Sequence, residues 1–281
     1  MSDIFGDQPA DAEALAEVYD LEHEVVVEDL PFWREVARRQ PGPTVDLGCG
    51  SGRLFVALLD GGARPLLGID GSSALLARAR ERVTGDARLG RAAATGRLQL
   101  RAGDVRQPPI TTDDVGGGAS LVAVAGVIPH LDGTRNLAVL MAAVGPLLAP
   151  DGVVVLDDLG PAQLPQRNLP LSVDWTREIG PDRIVRRSQL ERWEEADGLR
   201  VAYATLTERR QPDGTIRSLP ASFRLWYPSM ESIAQAAANA GLVVDISWGS
   251  YELDPYDPTD SERRIAVIRP AGTHMPGRSR P

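Results

Sequence analysis

The chain contains one cysteine, Cys49. That excludes an intrachain disulfide and a thiolate zinc cluster, and it suits a reducing cytoplasm. Histidine is nearly as scarce: His23, His130 and His274 are the only imidazoles available for proton transfer. Positive charge is also in deficit. Thirty Lys and Arg against 39 Asp and Glu leave a net charge of −9, where a phosphate-binding surface needs clustered cations. The short basic patch Arg34, Arg38 and Arg39 reads as a solvated helix face. These features argue against a long nucleic-acid substrate. No apolar run is long enough to span a bilayer, and Met1 to Ala10 lacks the basic-then-apolar order of a signal peptide. What is present is ordinary for a globular protein. The 281 residues, 43% of them hydrophobic, supply a core without metal or disulfide staples.

Residues 1–10 read as loose. Helical periodicity follows through Ala14, Val18, Leu21 and Val25. A second helix opens at Pro31, carries Phe32, Trp33, Val36 and Ala37, and stops at Pro41-Gly42-Pro43. From there strands and helices alternate. Thr44–Leu47, Pro65–Ile69, Leu98–Ala102, Ser120–Gly126 and Gly152–Asp157 read as strands. Arg53–Leu59, Ser73–Val83 and Arg135–Leu148 read as helices. This rhythm predicts an α/β fold with a mostly parallel sheet covered on both faces. It breaks between Trp175 and Tyr227, where Arg183–Ser188, Leu199–Glu208 and Thr215–Trp226 alternate apolar and polar residues. Asp197-Gly198 and Asp213-Gly214 sit between them as turns. Ser229–Ala240 resumes the helical pattern, and Leu242–Trp248 and Ile265–Ile268 complete a seven-stranded Rossmann-like sheet. The expected organisation is a helical cap over 1–40, an α/β domain over 41–165 and 228–270, an inserted antiparallel lid over 166–227, and a loose tail over 271–281.

The stretch Val45-Asp46-Leu47-Gly48-Cys49-Gly50-Ser51-Gly52 carries the chemistry. A strand ends beside an acid, glycines follow at every second position, and a helix begins. Glycines let the backbone turn sharply and approach a ligand, and the helix start offers free N–H groups. A dinucleotide fingerprint G-x-G-x-x-G would place its third glycine at Arg53; here that glycine comes one residue earlier, at Gly52. Asp46 adds negative charge where a pyrophosphate would be repelled. Asp70 ends the second strand, 20 residues beyond Gly50, where a carboxylate can accept both hydroxyls of a ribose. Asp104, at the end of the third strand, can accept an exocyclic amine of adenine.

From about Tyr19 to Ile268 the chain resembles the class I S-adenosylmethionine-dependent methyltransferases, in particular a bacterial branch that acts on small molecules. Val45–Gly52, Leu67-Gly68-Ile69-Asp70, Gly103-Asp104-Val105 and Leu147–Gly152 carry the resemblance. So does the ending with Tyr251, Tyr256-Asp257 and Ser261-Glu262-Arg263, similar to a subgroup whose sheet is completed by a hairpin. The resemblance implies that Gly48, Gly50 and Gly52 pass beneath the methionine and ribose parts of S-adenosylmethionine. It implies Asp46 near the methionine amino group, Asp70 on the ribose, Asp104 and Val105 on adenine, the Gly126 carbonyl near the methionine, and Tyr19 as a cover. The family's acid near the start of the fourth strand is missing; Ala119-Ser120 stands there, and Asp113 and Asp114 offer displaced versions of it.

Other residues admit two readings each. His130, just beyond the fourth strand, is either a general base for the acceptor or a structural histidine bonded to backbone. His23 lies on a predicted helix and His274 in the tail, with weaker cases. Asp157 and Asp158 end the fifth strand, either orienting a cationic amine or serving as a loop-facing acid pair; a metal there lacks a histidine partner. Trp175, Trp193, Tyr203, Trp226 and Tyr227 either line a substrate pocket or pack the insert, with Trp226 and Tyr227 the best pocket candidates. The expected function is methyl transfer to a small-molecule nitrogen, oxygen or carbon nucleophile, with no nucleic acid, membrane or metal involved and a homodimer admitted. The alternatives are another S-adenosylmethionine-dependent reaction or a non-catalytic adenosyl-ligand-binding partner.

Overall fold

The computed structural model describes residues 12–272. The expected loose lead over residues 1–10, His274 and all but the first two residues of the expected tail lie outside them. The first helix, α1, is Ala12–His23; Val25, read as part of its apolar stripe, lies beyond the helix end and is exposed. Helix α2 (Leu30–Arg39) carries Pro31 in its first turn and buries Phe32, Trp33 and Ala37.

Strands β1 (Gly42–Leu47), β2 (Ala63–Asp70) and β3 (Leu98–Ala102) are parallel neighbours, followed in the chain by β4 (Ala119–Ala125) and β5 (Leu148–Leu159). After an inserted sheet come β10 (Leu242–Trp248) and β11 (Arg263–Pro270). The order across the seven-stranded sheet is β10-β11-β5-β4-β1-β2-β3, with β11 antiparallel to both neighbours. The order reverses between β1 and β4. A crevice opens at the strands' carboxyl ends at such a switch point, because the connections leave in opposite directions there.

Helices α3 (Phe55–Gly61), α4 (Ser73–Gly85) and α5 (Ala87–Ala94) join α2 on one face, where Trp33, Phe55, Leu58, Leu76 and Leu89 form a continuous core. The α4 start is fixed by Ser72, whose hydroxyl accepts from the Leu75 N–H at 3.2 Å. Helix α5 was not expected from sequence. Asp86 starts it by accepting from the N–H groups of Arg88 (2.7 Å) and Leu89 (3.1 Å). Helices α6 (Thr134–Val144) and α7 (Met230–Asn239) cover the other face through Leu137, Leu140, Met141, Ile233 and Ala237. The helix expected over Arg135–Leu148 ends at Val144 because Pro146 sits in a single 3₁₀ turn, Gly145–Leu147, and Leu148 already begins β5.

The insert is a second, four-stranded antiparallel sheet: β6 (Leu169–Ile179), β7 (Asp182–Glu195), β8 (Gly198–Arg210) and β9 (Ile216–Pro228), paired in that order. Its first strand starts six residues before Trp175, where alternation becomes legible. The edge strand β6 is irregular, with register shifts between Leu169 and Ser172 and between Val173 and Trp175, and these interrupt the period of two. No helix among the described residues is long and apolar enough to cross a membrane.

Candidate cofactor and acceptor site

The chain from Gly48 to Gly52 is held by the neighbouring strand. The Gly48 and Cys49 N–H groups donate to the Ile69 carbonyl at 2.8 and 3.0 Å. All three glycines have positive φ. Their surroundings show different reasons for lacking a side chain. A Cβ on Gly50 would lie 3.0 Å from the Tyr19 hydroxyl, so Tyr19 of α1 covers the turn closely. A Cβ on Gly52 would lie 2.3 Å from the Phe55 ring, so that glycine admits the core of α3 rather than a ligand.

Asp70 is pre-aimed. Its Oδ2 accepts from the Gly50 N–H at 2.8 Å and its Oδ1 from the Ser72 N–H at 2.7 Å. Each oxygen keeps a further lone pair for a ligand hydroxyl. Asp46 is buried, its Oδ2 has no hydrogen-bond partner among the described residues, and burial pushes its carboxyl up to about 7. A buried acid without a partner is costly; a cationic ligand bound beyond the glycine turn would relieve it. Gly126 has φ 68°, and a Cβ there would meet nothing within 4 Å, so its backbone borders open space. The turn therefore fits a cationic ligand bearing hydroxyls, with free lone pairs on Asp70 and unpartnered negative charge at Asp46.

The glycine turn opens onto one cavity of about 1380 Å³. Tyr19, Gly48, Gly50, Asp70, Asp104, Val105, Gly126, His130 and Tyr227 all line it. Asp46, Gly52 and Trp226 do not. Asp46 lies within β1 and Gly52 against Phe55. Trp226 is a correction to the expected acceptor pocket: its side chain is fully buried in the core with Leu137 and Ile233, and Arg200 stacks on its ring at 5.4 Å. The period of two explains this, since adjacent residues of a strand face opposite sides and only Tyr227 faces the cavity. Asp104 stands on the rim, held by Arg106 from its side chain and its backbone N–H, which keeps the carboxyl below its usual range. The displaced acid Asp114 turns away to Arg101 and the Thr111 N–H.

His130 sits in the 3₁₀ turn Ile128–Leu131 after β4. Its ring meets Phe223 of β9 edge to face at 6.4 Å. It makes no ring hydrogen bond among the described residues, so the bond of a purely structural histidine is not formed. Desolvation lowers its pKa and the Asp70 charge opposes this only in part, leaving the imidazole neutral at pH 7. Tyr19 is stacked on His23, ring centroids 3.9 Å apart, and His23 Nδ1 bonds the Tyr19 carbonyl. Burial pushes the Tyr19 phenol up to about 12, so it stays protonated.

The cavity wall contains what sequence reasoning passed over. Four arginines line it, Arg53 directly after the glycine turn. Arg53 forms a fork with Asp29 at 2.6 Å, Arg263 binds Asp157 at 2.6 Å, and Arg186 pairs with Asp174 at 3.0 Å and with Glu22. Arg177 is the fourth. Asp157 also accepts from the Tyr251 hydroxyl at 3.1 Å, and Asp158 pairs with Arg264 at 3.3 Å; burial raises both acids, Asp158 to about 6. Both members of the acid pair are thus engaged with arginines. The signal in the sequence was weak: four arginines within β7, and a doubled Arg263-Arg264 on the strand that pairs with the one carrying the doubled Asp157-Asp158.

Residues 44–152 match the model of the methyltransferase domain family. The CcbJ methyltransferase from Streptomyces caelestis shares the fold at a TM-score of 0.69 and 21% identity, covering 92% of this chain and 96% of its own. The sugar N-methyltransferase KedS8 from Streptoalloteichus gives 0.67 and 19%, covering 96% and 97%. CalS10 from Micromonospora echinaspora, an amino pentose methyltransferase solved with S-adenosylmethionine bound, gives 0.58 and 20%, covering 92% and 91%. No curated protein sequence matches the chain. Residues 44–152 thus carry a methyltransferase domain, and the chain as a whole shares the fold of S-adenosylmethionine-dependent methyltransferases. Its cofactor is S-adenosylmethionine.

Proposed function

We propose that this enzyme methylates a small-molecule acceptor held between the glycine turn and the inserted sheet, as a cytoplasmic enzyme of specialised metabolism. One observation carries the reading. The cavity continues past the cofactor turn into a chamber walled by Trp175, Tyr203, Phe223 and Tyr227, and its volume exceeds the roughly 300–1,000 Å³ of a single-ligand pocket. An aromatic-walled chamber of this size admits a compact ligand. The sugar N-methyltransferase and amino pentose methyltransferase among the similar structures support an amine-bearing acceptor.

S-Adenosylmethionine, when bound, supplies a methyl group already activated by its sulfonium. The protein's work is therefore positioning and water exclusion. Tyr19 closes the cofactor side over Gly50, and Phe223 fixes the edge of the His130 ring. His130, on the wall of the cavity, would take the proton of the acceptor's nucleophile at an imidazole nitrogen. Asp46, Gly48, Gly50, Gly52, Asp70, Asp104, Val105 and Gly126 build the cofactor side, and Tyr227 borders the acceptor.

The test is transfer of labelled methyl from S-adenosylmethionine to a panel of amino sugars, phenols and carboxylates. Label appearing in a low-mass product supports the proposal. Label appearing only in protein or RNA substrates overturns it.

A further inference from the structure

The four arginines of the cavity wall are not equivalent. Arg53, Arg186 and Arg263 each have a carboxylate within 3.0 Å, and their charges are spent inside the protein. Arg177 has none within ion-pair distance among the described residues. Its partners are the Leu21 carbonyl, in the last turn of α1, and the face of Trp175, whose centroid lies 4.5 Å from the guanidinium carbon. One of its five N–H donors is used, the guanidinium carbon lies over the indole, and the side chain is half-buried on the cavity wall.

Holding an arginine over an indole costs little hydration and leaves a rigid fork, the geometry that matches a carboxylate or phosphate. A lid clasp alone would explain the bond to Leu21 but not the position of the group in the cavity wall without an ion-paired acid, where every other arginine has one; Glu22, paired with Arg186, acts on Arg177 only through its field. We infer that Arg177 is a specificity-determining residue that binds an anionic substituent, carboxylate or phosphate, on the methyl acceptor. Trp175 supports the guanidinium, and Glu22 and Asp174 hold the neighbouring Arg186 out of the way. The acceptor would then be anchored at its anionic end by the lid, with its nucleophile toward His130. This rests on the small-molecule reading above.

The experiment compares wild type, Arg177→Gln, Arg177→Lys and a control, Arg183→Gln, whose exposed side chain pairs with Glu178 outside the cavity. Binding of glucosamine 6-phosphate and of glucuronate is measured by calorimetry with S-adenosylhomocysteine present, alongside methyl transfer to anionic and neutral members of the amino-sugar panel. The expected result is that one of the two anions binds wild type and Arg183→Gln alike, and Arg177→Gln about 10- to 100-fold more weakly. Arg177→Lys falls between. The loss appears in KM for the anionic acceptor, with kcat and S-adenosylhomocysteine affinity changed less than about threefold. Which anion binds decides between phosphate and carboxylate. The inference is overturned if neither anion binds wild type, or if Arg177→Gln binds equally well while methyl transfer persists. Failure of wild type to methylate any small acceptor, with anion binding intact, would instead overturn the proposed function.

Discussion

Between Asp46 and Val105, one continuous stretch of chain supplies nearly all of the cofactor side of the cavity. The acceptor side draws on α1, the end of β5, all four strands of the inserted sheet and β11. The two sides also handle charge differently. At the cofactor side Asp46 is buried without a partner among the described residues and Asp70 is oriented by backbone N–H groups, so negative charge is left for a cationic ligand. At the acceptor side, acids and arginines meet in closed pairs, Arg177 excepted. The chain contains no lysine, so every one of these pairs is made by a guanidinium. The contrast suits the task. A fixed cofactor is served by a rigid turn with charge held in reserve, whereas an acceptor wall that must exclude water is built from neutralised groups and aromatic faces.

The largest effect that would break this division lies within β9. Trp226→Ala should cost about 3–5 kcal/mol of stability, because it empties a fully buried site, and should leave acceptor preference unchanged in whatever protein folds. Denaturant unfolding measures the first and the acceptor panel the second. Asp70→Ala comes next. It should weaken cofactor binding by about 100-fold or more, since it removes both the ribose acceptor and the bonds that hold Gly50 and Ser72. Calorimetry showing unchanged affinity would remove the basis of the cofactor site.

His130→Gln should reduce kcat/KM by about 10²-fold with cofactor affinity intact, the usual size of a general-base contribution. In wild type the lowered imidazole pKa keeps the base form available, so activity should fall only as pH drops below about 6.5, and that limb should vanish in the variant.

Asp46→Asn separates stability from binding. Its folded pKa, about 7, lies above the unfolded value of 3.8. Between those values the folded protein holds more protons, so the stability of the unliganded protein falls as pH rises from about 4 to 7. The asparagine variant should lose that dependence. It should melt a few degrees higher than wild type at pH 8 without cofactor, about 2–4 °C per kcal/mol, and bind the cofactor more weakly. Equal melting of both proteins across the range would show that Asp46 is not a reserved charge. The smallest effect is Tyr227→Phe. It should move acceptor KM a few-fold with little change in stability, the opposite signature to its neighbour Trp226.

The cofactor side was legible because its meaning is local. A glycine at every second position, an acid at a strand end and another acid 20 residues on are spacing statements, and strand-turn-helix geometry converts them directly into a site. The seven-stranded sheet was legible for the same reason, through alternating strand and helix periods. Helix α5 was missed because eight residues give too little periodicity and its start depends on a cap at Asp86. The first half of β6 was missed because register shifts interrupt its alternation.

Sequence by itself determined the sheet, the glycine turn and the two acids Asp46 and Asp70, since each follows from neighbours along the chain. Only the tertiary structure decided that Trp226 is core and Tyr227 cavity, that Asp157 and Asp158 are spent on Arg263 and Arg264, and that Arg177, alone of the cavity arginines, has no carboxylate partner among the described residues. Those outcomes depend on which strand faces which across up to 106 residues of intervening chain, and a register of side chains over such distances is set by packing rather than by local spacing.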